Sequence, residues 1–158
     1  CPALKKDFDL IFTSVILQTK LETKKTYYNF INREKLFSDI MASNSIIYSA
    51  SVVVKKSLME KVGGFNENMR KGVDSFFYRK ILAFKDTSVM YYNKPTLLVD
   101  ETSAHSMTRD QSFRNNLNSI ISELVNIKHF GKYYKLSDFY KRGQKIVISF
   151  CRLFLSKV

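Results

Sequence analysis

Val62-Gly63-Gly64-Phe65-Asn66-Glu67, followed after a short spacer by Gly72-Val73-Asp74-Ser75-Phe76-Phe77-Tyr78-Arg79, is the stretch that decides the fold. Ser57 with Glu60 three residues on predicts a capping box, and Leu58, Met59 and Val62 form a brief apolar face that stops at Gly63. Gly63 and Gly64 admit backbone angles that a side chain forbids, so the chain is expected to reverse there and drop Phe65 into an apolar layer. A second helix is expected to open near Gly72 and run through Leu82, with Phe77, Ile81 and Phe84 at helical spacing and Asp74 in its first turn. The positive end of the helix dipole favours an ionised carboxylate there, and Val73, Phe76 and Phe77 partly dry it. A charged, partly desolvated carboxylate suits a general base.

Working outward, residues 8–17 read as a buried strand, 20–25 as a polar turn and 26–32 as an aromatic connection. Residues 33–42 carry Leu36, Phe37, Ile40 and Met41 at helical spacing, with Asn44 ending the helix, and the β-branched run over 46–54 predicts a strand. Beyond the Asp74 helix, 87–92 and 96–99 read as two strands around an Asn93-Lys94-Pro95 turn. Phe113, Leu117, Ile120, Leu124 and Ile127 then line one face of a helix over 113–130 closed by Gly131, and that stripe is expected to be core.

The twin-glycine turn from Gly63 to Glu67 and the helix-borne acid Asp74 resemble the C-terminal half of the catalytic domain of family 2 glycosyltransferases. The likeness extends from the strand Phe8-Asp9-Leu10-Ile11-Phe12, through residues 45–56 before the turn, to a loop containing His105. The resemblance implies an α/β fold: a partial GT-A domain, Rossmann-like with a mixed sheet, over residues 1–109, and a helical, basic extension over 110–158. It also implies an inverting transfer of a sugar from a nucleotide-sugar, a UDP-sugar by expectation, to a glycan or lipid-linked glycan in surface polysaccharide synthesis. Asp74 takes the role of the base that deprotonates the acceptor hydroxyl. The residue before that aspartate is often acidic in the family and is Val73 here, which bears on the acceptor contacts.

The family's N-terminal nucleotide-binding half, with an Asp-x-Asp motif that holds Mg or Mn against the diphosphate, has no counterpart in this sequence. The chain is therefore expected to be a truncated product, inactive alone. Asp7 and Asp9 mimic the spacing of that motif, but Asp9 runs straight into the apolar stretch 10–17, so both read as strand-start aspartates.

A polar loop, 100–110, holds the remaining candidate chemistry. By resemblance His105 is a metal ligand and Arg109 a clamp on the donor diphosphate, since imidazole binds divalent metals and guanidinium pairs two phosphate oxygens. The plainer alternative is an exposed histidine, with Arg109 pairing to Asp110. Glu67 and Arg70 are further candidate substrate-binding residues, Arg70 steering phosphate or sitting on the surface. Arg79 reads as structural, and His129 as a cation complementing a helix C-terminus.

The net charge of +12 calls for an anionic partner. From Lys128 to Val158 there are eight Lys or Arg against the single acid Asp138, with aromatic residues interleaved. The run 146–155 is interrupted by Arg152 and falls far short of the ~20 apolar residues a spanning helix needs. It reads as a helix in the lipid interface, with Lys141, Arg142, Lys145, Arg152 and Lys157 at anionic headgroups. The alternative packs Ile146, Phe150 and Leu153 on the domain and leaves the cations solvated. Nucleic acid is disfavoured, because neither a glycine-aromatic recognition motif nor a zinc knuckle accompanies the basic residues. Cys1 and Cys151 lie at opposite ends without metal-ligand spacing, so a reducing cytoplasm, peripherally at the inner face of the cell membrane, is the expected location. A non-catalytic basic module that binds anionic membrane or a protein partner is the competing expectation for the whole chain.

Overall fold

The computed structural model describes residues 7–19, 21–26, 28, 31–42, 47–100 and 112–155. It is an α/β protein whose mixed sheet is organised around one strand, β1 (Leu10–Gln18). One edge of β1 pairs in parallel along its length with β4 (Val89–Asp100). The other edge pairs antiparallel with β3 (Val52–Val54) at its first half and with β2 (Thr23–Thr26) at its second. The parallel pairing requires a long crossover, and that crossover carries α1 (Arg33–Met41), α2 (Lys56–Val62) and α3 (Val73–Ala83). After β4 come α4 (Phe113–Phe130) and α5 (Leu136–Leu155), which pack against each other.

Alternation along β1 puts Leu10, Phe12 and Ser14 on the buried face. There Leu10 and Phe12 meet Leu36 and Ile40 from α1, Leu58 and Val62 from α2, and Phe77, Tyr78, Ile81 and Leu82 from α3. The opposite side of α3 contributes Phe76 to a second cluster with Met41, Met69, Phe130 and Tyr134. Helix α3 therefore lies between two apolar layers, which is why four consecutive residues, Phe76 to Arg79, are buried on it.

Several expectations are corrected. Helix α2 starts from Lys55 as N-cap, without a side-chain cap bond, so Ser57 lies inside the first turn and the capping box does not form. Among the described residues 47–54, Ser49–Ser51 form a 3-10 turn and only Val52–Val54 are strand. The span expected to be turn and connection contains β2, whose hairpin closes through a Thr19 N–H bond to Glu22 O at 2.8 Å. Instead of two strands around a turn, β4 is continuous, with register shifts that absorb Asn93, Lys94 and Thr96 as a bulge around Pro95. Proline is tolerated there because β4 has no second partner among the described residues. Gly131 follows α4 in right-handed rather than left-handed conformation and leads into a 3-10 turn.

The apolar stripe of α4 is core only in part: Ile127 packs against the second cluster and Ile120 is half-buried. Phe113, Leu117 and Leu124 are exposed, whereas Asn116, Ser122 and Asn126 face inward. The cause lies on α3: buried Arg79 donates to Ile40 O at 3.2 Å and to Asn126 Oδ1 at 2.9 Å. A buried guanidinium demands acceptors, so α4 turns its amides in and its leucines out.

Candidate active site

The Asp74 site is assembled from a turn, a helix start and a distant hydroxyl. Helix α2 ends at Gly63, φ 74°, with Gly63 N–H donating to Glu60 O at 3.1 Å and Gly64 N–H to Met59 O at 3.0 Å. This pair of bonds is a Schellman motif, and the left-handed glycine makes it inexpensive. The chain then presents Phe65 against Phe77, with ring centroids 4.3 Å apart. Phe65 was expected to be anchored in an apolar layer; one ring face is so anchored, yet 46% of the residue stays exposed and forms a wall. Lys80 Nζ, from α3, donates to Gly64 O at 3.4 Å and ties turn to helix.

Gly72 is the N-cap of α3, at φ 67°, and a Cβ there would come within 2.8 Å of Ser122 Oγ. Both the backbone angle and the close approach of the Ser122 side chain on α4 disfavour any side chain there. Asp74 follows in the first turn, as the spacing predicted. Its Oδ1 accepts from Ser75 N–H at 2.7 Å and its Oδ2 from Ser49 Oγ at 2.9 Å. The Tyr78 hydroxyl faces Ser49. Since an ionised carboxylate only accepts, Ser49 gives its proton to Asp74. Burial holds the Tyr78 phenol above its ordinary range, with the neighbouring Ser49 opposing and the Asp74 charge adding to that shift.

Phe65, Arg70, Lys71, Val73, Asp74 and Asn115 line an open depression of about 400 Å³. Glu67 lies in a neighbouring one of about 480 Å³, with Phe65, Asn66, Asn68, Lys80 and His129. Phe65 is the wall between them. Thus Asp74 and Arg70 share one depression, Glu67 occupies the next, and His105 and Arg109 lie outside the described residues. No cation among the described residues forms an ion pair with Asp74.

Ser49 and Tyr78 escaped the sequence reading. Tyr78 is on the Asp74 helix, so its proximity was legible in principle; Ser49 is twenty-five residues upstream and nothing local marks it. Arg79 is structural, as expected: burial pushes its guanidinium down to about 10, helped by the charge of Arg142. His129 stands edge-on to Phe76 with centroids 5.2 Å apart. Asp9 does start the strand, as read: its Oδ2 accepts from Ser88 N–H and Oγ, both at 2.9 Å, while Asp7 pairs with Lys55.

Among the described residues no group of three His, Cys, Asp or Glu side chains converges to hold a metal ion. The Asp74 depression therefore does not fit a divalent cation, its other charged walls being Arg70 and Lys71. Comparison with known protein families, curated proteins and solved structures finds no match to this chain. Among the described residues no helix is long and apolar enough to cross a membrane.

Proposed function

We propose that this chain is the acceptor side of an inverting glycosyltransferase of GT-A type, with Asp74 as the base. The observation that carries the reading is a carboxylate in the first turn of α3, aimed by Ser49, without an ion-pair partner among the described residues, on the wall of an open depression. An unpaired carboxylate held by two hydrogen bonds has lone pairs left for a substrate hydroxyl. In the proposed step Asp74 takes the acceptor O–H proton as the oxygen attacks the anomeric carbon. The bond from that carbon to the nucleoside diphosphate breaks on the opposite face, and the diphosphate leaves with the electron pair.

Phe65 and Arg70 give this depression the two features a glycan acceptor uses: an exposed ring face for a sugar's C–H surface and a guanidinium for hydroxyl or anionic substituents. A divalent metal would offset charge on the leaving diphosphate, and the described residues do not supply its ligands. The donor-side roles of His105 and Arg109 belong to the same reading. Transfer would take place where a lipid-linked acceptor is presented, at the cytoplasmic face of a membrane.

Sugar transfer from radiolabelled nucleotide-sugars by the natural gene product, with and without Asp74→Asn, tests the proposal. The expected result is a ~100- to 10,000-fold loss of turnover in the variant with the donor KM nearly unchanged. Equal turnover removes Asp74 from the chemistry. Saturation-transfer NMR of this chain with oligosaccharides adds a binding readout, in which Phe65→Ala and Arg70→Ala are expected to abolish the signal.

A further inference from the structure

Helix α5 is twenty residues long and turns two unlike faces outward and inward. Its inner face is partly polar: Asp138, Arg142 and Ser149 are buried beside Leu153. Asp138 Oδ2 accepts from Lys135 N–H at 2.9 Å, closing the helix start. Arg142 donates to Glu123 and to Met41 O, and its guanidinium lies 4.4 Å from the centroid of Tyr134. Arg142 is thus removed from the set of cations expected at a lipid surface, and Lys157 lies outside the described residues.

The outer face is apolar. Tyr140, Val147, Phe150, Cys151 and Phe154 fall within one broad helical sector, and all are exposed. Val147 is 60% and Phe154 63% exposed, and Phe150 and Phe154 stack on each other with centroids 4.9 Å apart. Exposed Lys141, Lys145 and Arg152 follow one border of this sector, Lys145 also lying 3.9 Å from Glu123 of α4. The one acid of the helix, Asp138, is buried, so α5 offers no carboxylate to solvent. A continuous apolar sector of this kind on a solvated helix marks a surface that something covers.

We propose that the outer face of α5 docks in the plane of an anionic lipid bilayer, its aromatic and aliphatic side chains among the acyl chains and Lys141, Lys145 and Arg152 at the headgroups. Charge complementarity selects this occupant. Two copies of α5 face to face would bring like-charged borders together with no exposed acid of the helix to offset them, whereas an anionic leaflet attracts each nearby Lys or Arg. The helix is also too short of uninterrupted apolar residues to span, which leaves the interface as its depth. The inference goes beyond sugar transfer and does not depend on Asp74.

The test is co-sedimentation of the 158-residue chain with vesicles of phosphatidylcholine alone and of equal parts phosphatidylcholine and phosphatidylglycerol. A polarity-sensitive fluorophore on Cys151, in a Cys1→Ser background, reports depth, because that thiol is exposed at the edge of the apolar sector nearest the cations. Wild type is expected to pellet with the anionic vesicles and to blue-shift the fluorophore. Val147→Asp with Phe154→Asp should lower partitioning by about tenfold or more while circular dichroism stays unchanged, both residues being more than half exposed. Lys141→Glu with Arg152→Glu should lower it only on anionic vesicles, by about tenfold, and high salt should do the same. The proposal is overturned if wild type stays in the supernatant, if the double aspartate variant pellets like wild type, or if charge reversal leaves anionic binding unchanged. A lipid-free dimer in sedimentation velocity that the double aspartate variant dissolves also overturns it, by assigning the face to a second copy.

Discussion

Ser49 Oγ lies 2.9 Å from Asp74 Oδ2, joining the turn before β3 to the first turn of α3. The hydroxyl fixes one carboxylate oxygen of the proposed base, which lines the depression, and the buried Tyr78 phenol senses both Ser49 and the Asp74 charge. Ser49→Ala should leave Asp74 in place but loosely aimed. We expect ~10-fold lower kcat with stability changed by less than about 1 kcal/mol, against the larger loss for Asp74→Asn. Steady-state kinetics with urea denaturation checks both, and a Ser49→Ala enzyme slower than Asp74→Asn would contradict the assignment of roles.

Gly72 bears two separable constraints, a positive φ and a 2.8 Å approach of Ser122 Oγ to any added Cβ. Gly72→Ala is expected to cost ~1–2 kcal/mol from the backbone angle plus a steric contribution. Adding Ser122→Ala should recover the steric part alone. A double-mutant cycle measured by denaturation gives that coupling directly, and additive single effects would show that α4 yields freely. At Gly64, where an added Cβ meets nothing within 4 Å, only the angular cost is expected.

Asp9 and Ser88 hold the parallel start of β1 against β4 through reciprocal bonds, Asp9 N–H also donating to Ser88 Oγ at 2.9 Å. The Ser88 amide holds the Asp9 carboxyl below its ordinary value of 3.8, with burial opposing. A group lowered on folding stabilises fully above its unfolded value and loses that contribution as pH falls through the folded one. The stability gap between wild type and Asp9→Asn should therefore be constant near neutrality and shrink below about pH 4. Urea melts at stepped pH values measure it; a gap that widens in acid would refute the sign.

Glu123 is the carboxylate partner of Arg142, whose side chain is almost fully buried. Glu123→Ala removes the charge partner of that guanidinium while its bond to Met41 O remains, and the expected loss is ~3–5 kcal/mol. Asp39→Ala, by comparison, breaks a pair whose lysine is half exposed and costs less through charge, though it also frees Tyr28, which donates to Asp39 at 2.6 Å. Chemical denaturation of the two variants ranks them; an inverted order would mean that α5 detaches from α4 at little cost.

What could be read from the chain was local. The left-handed Gly63, the opening of α3 at Gly72 with Asp74 in its first turn, and the spans of α1 and α4 all follow from residues within four or five positions of one another. Misreadings arose where pairing or packing intervened. Thr23–Thr26 is too polar to announce a strand and becomes one only against the far half of β1. Asn93-Lys94-Pro95 has turn chemistry, yet the long parallel ladder of β4 with β1 carries it as a bulge.

By itself the sequence determined where the backbone must bend and which stretches are amphipathic, because glycine sterics and side-chain periodicity act over a single turn. Only the tertiary structure decided that Ser49 meets Asp74 and that α4 faces inward with its amides. The inward amides depend on where Arg79 finds acceptors once it is buried between α1 and α4, and hydrogen bonds spanning twenty-five and forty-seven residues leave no mark in any one segment alone.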